Sequence, residues 1–129
     1  WADVNRQGGV LLLAQMSSRG NLLDSQYTSQ VVEKGKTHGG VFGFIGNGSR
    51  PNELRELRKA VGEAKMIWTP GVNLAVGDGE MGQRYGDPAQ AVNAGSDCII
   101  VGSGIHMADN PSQQAAKYAE VSWHALLNR

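Results

Sequence analysis

The chain has 129 residues, enough for one domain with a real core. Its twelve basic and twelve acidic side chains cancel, which removes any overall electrostatic drive toward nucleic acid or an anionic membrane and leaves anion binding to a local site. The single cysteine, Cys98, excludes an internal disulfide and fits a reduced, cytoplasmic setting, and no apolar run approaches the roughly 18 residues of a spanning helix. The opening Trp1-Ala-Asp-Val-Asn-Arg does not resemble a signal peptide, and the lack of an initiator methionine suggests a processed or excised piece.

Residues 1–9 read as a polar lead-in. Val10-Leu-Leu-Leu-Ala14 is a continuous apolar run bounded by glycine, and its length favours a buried strand over a helix. A polar loop, Gln15-Met16-Ser17-Ser18-Arg19-Gly20, follows. Asp24 or Ser25 then caps a helix to about Lys36, with Tyr27, Val31 and Lys34-Gly35 along one side, and His38-Gly39-Gly40 stops it. Val41-Phe-Gly-Phe-Ile45 is the second strand. After Gly46-Asn-Gly-Ser49, with Ser49 as cap and Pro51 in the first turn, comes the clearest helix of the chain. Leu54, Leu57, Ala60 and Val61 form its apolar stripe, and Arg55, Glu56, Arg58 and Lys59 are expected to face solvent.

Met66-Ile-Trp-Thr69 is the third strand, ended by Pro70, which has no N–H for the ladder. The stretch 71–86 is too long and polar for an ordinary connector, and loops of that kind are often functional lids. Asp87-Pro88 and Asn110-Pro111 repeat a cap-then-proline start, the first for a short helix to Ala94, the second for a helix toward Leu127. Between them Cys98-Ile-Ile-Val101 is the fourth strand. The fold class is therefore α/β: four βα units in a single domain, 1–129, forming a curved parallel sheet with helices outside. A closed (β/α)8 barrel typically takes about 250 residues, so four units make half of one.

In such folds ligands meet the carboxyl ends of the strands, and Gly102-Ser103-Gly104 is placed there with backbone N–H groups able to approach an anion. Taken alone, a Gly-x-Gly is equally well a tight turn with no ligand. The three histidines are scattered and the cysteine is single, so no zinc spacing exists; a P-loop and a Gly-x-Ser-x-Gly elbow are also absent.

Thr69-Pro70-Gly71-Val72, Gly82-Gln83-x-Tyr85 and Gly95-Ser-Asp-x-Ile-Ile-Val-Gly102 resemble the later strands and phosphate loop of orotidine 5'-monophosphate decarboxylase. The likeness extends upstream to Leu12-Leu-Ala-Gln-Met-Ser-Ser-Arg-Gly20 and Val41-Phe-Gly-Phe-Ile45, in family order, and covers only the second half of that enzyme. The resemblance implies decarboxylation of orotidine 5'-monophosphate to uridine 5'-monophosphate in pyrimidine biosynthesis, with no metal or organic cofactor. It assigns Ser17 to the pyrimidine edge and Pro70 to the wall of the base pocket. Gln83 and Tyr85 would grip the 5'-phosphate from a loop at 71–86, and Gly102 and Ser103 would form the phosphate turn. Read from residues alone, Ser17 is a loop serine satisfying its own turn, Pro70 a strand terminator and Tyr85 a packing residue.

Two positions depart from the family pattern. Ser103 stands where the family has an arginine that grips phosphate, and Gln15 where an acidic side chain is common. Arg84, where the family often has glutamine, offers partial compensation for the first. The catalytic lysines and aspartates implied by the resemblance belong to an Asp-x-Lys-x-x-Asp segment on an earlier strand, and no Asp-x-Lys occurs here. No catalytic residue is therefore assigned, and the chain alone is expected to be inactive. A half barrel leaves strand edges unpaired and its interior exposed, so the strands at Val10 and Cys98 are expected to pair with a second copy or with a separate amino-terminal half. The alternative is a non-catalytic, possibly engineered half-barrel scaffold that self-associates and binds anions or nucleotides weakly. Neither reading involves nucleic acid or a membrane.

Overall fold

The computed structural model describes residues 8–75, 77–78 and 84–129. Strands β1 (Val10–Leu13), β2 (Val41–Ile45), β3 (Met66–Thr69) and β6 (Cys98–Ile99) form one parallel sheet in the order β1-β2-β3-β6. Within the long stretch after β3, β4 (Gly77–Asp78) and β5 (Arg84–Tyr85) make a small antiparallel pair. The helices are α1 (Ser25–Thr37), α2 (Pro51–Val61), α3 (Pro88–Asn93), α4 (Ser103–His106) and α5 (Pro111–Leu127). This is the expected α/β half barrel.

The caps follow the sequence at three helices. The carboxylates of Asp24 and Asp87 and the amide oxygen of Asn110 accept from the backbone N–H three residues on, and Pro88 and Pro111 occupy first-turn positions where no donor is needed. At α2 the expectation fails. Its N-cap is Arg50, without a side-chain cap, because Ser49 is turned toward the Asn47 side chain, to which both its N–H and its hydroxyl donate.

The core lies between the sheet and α1–α3. Phe44 and Ile67 project from the sheet into Val32, Leu54, Leu57, Val61 and Ala91. Of the side expected along α1, Gly35 is buried and Val31 packs partly buried against the core, joined by Val32, while Tyr27 and Lys34 are exposed. A Cβ on Gly35 would lie 2.6 Å from the Phe44 ring, so the glycine is what lets helix and strand approach. β6 stops at Ile99, two residues short of the expected end, because its neighbour β3 ends at Thr69, before Pro70, which has no N–H to continue the ladder.

On the opposite face of the sheet, several large apolar side chains are exposed among the described residues. Phe42 is an extra residue in β2, as Val10 pairs with Val41 but Leu11 with Gly43, and this turns its ring edge-on to Trp68 with 46% of the residue exposed. Leu13 at 36% and Ile100 at 40% are exposed as well. Among the described residues, β1 and β6 each have only one neighbour in the sheet, so each leaves a border with backbone groups outside any strand ladder.

At the amino ends of the strands Arg58 is the main correction to the sequence reading. Expected on the solvated face of α2, it has a side chain only 14% exposed. Its guanidinium donates to the carbonyls of Gly62, Lys65 and Gly95 and pairs with Asp97, whose carboxylate also accepts from Ile67 N–H and meets Arg129. Among the described residues, no helix is long and apolar enough to cross a membrane.

Candidate functional site

Because the four strands are parallel, all four βα loops leave at one rim. Ser17, in the first loop, is 93% buried by its 7% exposure. The polypeptide around it is fastened to the second loop through Gln15 and Asn47. Gln15 Oε1 accepts from Asn47 N–H at 3.0 Å, Gln15 Nε2 donates to the Glu53 carbonyl at 3.0 Å, and Asn47 Nδ2 donates to the Met16 carbonyl at 3.1 Å. This gives the departure at Gln15 a physical meaning: the position uses one acceptor and one donor, and a carboxylate has no donor. Gln15→Glu is expected to lower stability by about 1 kcal/mol at neutral pH. Chemical denaturation would show the midpoint recovering on acidification, as the protonated carboxyl regains an O–H; a pH-independent loss would contradict the assignment.

The second loop touches the third where Gly48 N–H donates to the Pro70 carbonyl at 3.0 Å. Pro70 is half-buried and follows Thr69, whose hydroxyl is fully buried against Ser96 Oγ at 2.7 Å. The long third stretch closes on itself: Gly86 N–H donates to Gly71 at 2.8 Å, and Asn73 N–H to Gly86 at 2.9 Å. Glycine is required at this crossing, since a Cβ on Gly86 would sit 2.4 Å from the Gly48 carbonyl oxygen.

The third stretch reaches the fourth loop at Tyr85, whose hydroxyl is 3.2 Å from Ser103 Oγ. Two residues singled out from the sequence are thus brought together. The start of the same stretch is held from α5, where Tyr118 donates to Asn73 Oδ1 at 3.0 Å and accepts from Leu74 N–H at 3.1 Å. Gly104 makes room for that phenol, as a Cβ there would lie 2.3 Å from Tyr118 Oη; Gly102, by contrast, faces open space. The helix after this turn, α4, has only four residues, so its dipole is small. Gln83 lies outside the described residues. Asn47, Asn73 and Tyr118 were not singled out from the sequence. A glycine-flanked asparagine at 47 and a lone phenol among alanines at 118 were the available signals.

Cys98, in β6, has its thiol pushed above the ordinary value by burial first and by the Asp97 carboxylate second. An unfolded chain releases that proton at lower pH than the folded one, so stability falls as pH rises through the thiol range. Cys98→Ser is expected to flatten that fall in paired thermal melts; an unchanged slope would refute it. Among the described residues, no three His, Cys, Asp or Glu side chains converge as metal ligands would.

The sequence profile of the Orotidine 5'-phosphate decarboxylase / HUMPS family matches residues 2–118. The chain belongs to that family. It is 38% identical over 128 residues to the orotidine 5'-phosphate decarboxylase of Emericella nidulans, covering 98% of this chain and 46% of that protein. It is 38% identical over 122 residues to the same enzyme of Coccidioides immitis, covering 94% and 44%. Among solved structures, orotidine 5'-phosphate decarboxylase from Pyrococcus horikoshii OT3 superposes with a TM-score of 0.72 at 30% identity, covering 90% of this chain and 51% of that one. The chain thus spans about half the length of these decarboxylases. Its four βα units are a fragment of the decarboxylase barrel, as the sequence resemblance implied.

Proposed function

We propose that this chain is the half of an orotidine 5'-monophosphate decarboxylase barrel that contacts pyrimidine and phosphate. Turnover to uridine 5'-monophosphate and CO2 then appears only when an amino-terminal half bearing the lysines and aspartates closes it. One observation carries the reading: a run of hydrogen bonds links all four loops along a single rim. It passes from the Met16 carbonyl through Asn47, Gly48 to Pro70, and Gly71 to Gly86, and ends at Tyr85 and Ser103.

In this reading the backbone beside Ser17 is fixed against the pyrimidine edge, and Pro70 gives the base an apolar wall. Tyr85, Gly102 and Ser103 then face the 5' end, and the resemblance assigns Gln83, outside the described residues, to the same phosphate. Ser103 supplies a hydroxyl in place of a guanidinium. Charge-assisted bonds contribute about 1.5–3 kcal/mol each, so a nucleotide is held roughly tenfold to over a hundredfold more weakly than with arginine there. Loss of CO2 needs fixed charges that destabilise the substrate carboxylate and a donor that protonates the carbon left behind. No Asp-x-Lys in this chain supplies them.

The sheet face that exposes Leu13, Phe42 and Ile100 supports the need for a closing partner, whether an amino-terminal half or a second copy. It equally supports the second reading, a self-associating scaffold with weak anion binding. Both place the chain in the cytoplasm. Mixing the chain with a separately folded amino-terminal half and following loss of orotate absorbance distinguishes them. Turnover in the mixture and none from either half supports the decarboxylase reading, and no turnover from a well-folded mixture overturns it.

A further inference from the structure

Resting on the reading that a nucleotide's phosphate is gripped between the third stretch and the fourth loop, we infer that Tyr118 is a positioning residue for that grip. Its hydroxyl sets how far Tyr85 stands from the turn at Gly102 and Ser103. The contacts run in a closed circuit. Tyr118 Oη donates to Asn73 Oδ1 at 3.0 Å, and Asn73 N–H donates to the carbonyl of Gly86, next to Tyr85, at 2.9 Å. Tyr85 then meets Ser103 across 3.2 Å, and the following residue, Gly104, backs onto the same phenol: a Cβ there would lie 2.3 Å from Tyr118 Oη. One oxygen of α5 therefore bounds both sides of the phosphate end.

The hydroxyl suits this role because it is used both as donor and as acceptor. It gives its single proton to Asn73 and accepts from Leu74 N–H at 3.1 Å, and Tyr118 is only 2% exposed, so water does not take over either bond. Without it the stem of the third stretch still closes on itself, through Gly86 N–H to Gly71 and Asn73 N–H to Gly86, and Ala75 N–H still donates to Asn73 Oδ1. What the stem loses is this tie to α5. The pyrimidine end does not pass through the tie: Gly48 N–H holds the Pro70 carbonyl, and Asn47 holds the Met16 carbonyl beside Ser17. Loss of the hydroxyl thus shifts Tyr85 against the turn while the base contacts stay in place, and a misplacement of that kind weakens the group gripped there.

Calorimetric titration with uridine 5'-monophosphate and with uridine, on the parent chain and on Tyr118→Phe, tests the inference. The variant keeps the ring and removes the oxygen. It is expected to bind the nucleotide about tenfold more weakly and the nucleoside unchanged, with amide exchange quickened at Leu74. Gly104→Ala, which crowds the same oxygen, is expected to weaken the nucleotide similarly. The double variant should lose about tenfold rather than about a hundredfold, because both changes act through one atom. An equal loss for both ligands, an unchanged nucleotide affinity, or a loss of about a hundredfold in the double variant would overturn the inference and leave the decarboxylase reading standing. A parent chain that binds the nucleotide no more tightly than the nucleoside would overturn it as well, by removing the grip on which it rests. Turnover of the mixed halves would then still decide the decarboxylase reading on its own.

Discussion

Replacing Arg58 by alanine is expected to lower stability by about 3–5 kcal/mol, the range for removing one partner of a buried, hydrogen-bonded ion pair. In a domain of this size that corresponds to a melting temperature lower by about 10–20 °C. The size follows from what the guanidinium holds. It gathers the carbonyls of Gly62, Lys65 and Gly95 together with the Asp97 carboxylate, and so joins α2, the lead-in to β3 and the lead-in to β6. Alanine takes this donor from the three carbonyls and leaves the half-buried Asp97 carboxylate with only Ile67 N–H and Arg129. Arg58→Lys should recover only a small part, because a single ammonium cannot span acceptors arranged for a planar fork. A lysine variant as stable as the parent would show that charge alone matters there. Calorimetric melts of the three proteins settle the matter.

Gly86→Ala is expected to cost about 1–3 kcal/mol, the range for forcing an extra methyl into a packed site, and to unfasten the loop stem that carries Tyr85. The added carbon would lie 2.4 Å from the Gly48 carbonyl oxygen and 2.8 Å from Ser49 Cα, and backbone cannot swing aside as a side-chain tip can. The bonds between Gly86, Gly71 and Asn73 have to lengthen to admit it. Amide hydrogen exchange should therefore quicken at Asn73 and Gly86 while the amides of α2 keep their protection. Gly102→Ala is the matched control, since its Cβ meets nothing within 4 Å. Equal effects at the two positions would refute the packing argument.

The strands and most helix ends were legible in the sequence because they rest on local chemistry. Glycine-bounded apolar runs, aspartate or asparagine before proline, and a proline that ends a ladder act within a few residues of themselves. Ser17, Pro70, Tyr85 and Ser103 were found by likeness, and the structure adds that the last two touch. What could not be read depends on partners distant in sequence. Arg58 looks like one more charge on a helix face until Gly95 and Asp97, more than 35 residues later, arrive beneath it. The same is true of Asn47, which reaches back to Met16, and of Tyr118, which reaches Asn73. On α1 the spacing found Val31 and Gly35 but not Val32, and it placed Tyr27 and Lys34 on a side where both are exposed.

The clamp beneath Asp97 and the loops carrying Tyr85 and Ser103 occupy opposite ends of the same short strands. Arg58 and the Tyr85–Ser103 pair share no hydrogen bond, so changes at one end can be made without touching the contacts of the other. A laboratory adapting this scaffold to a new small molecule can first reinforce its floor, then use the gained tolerance to vary the mouth.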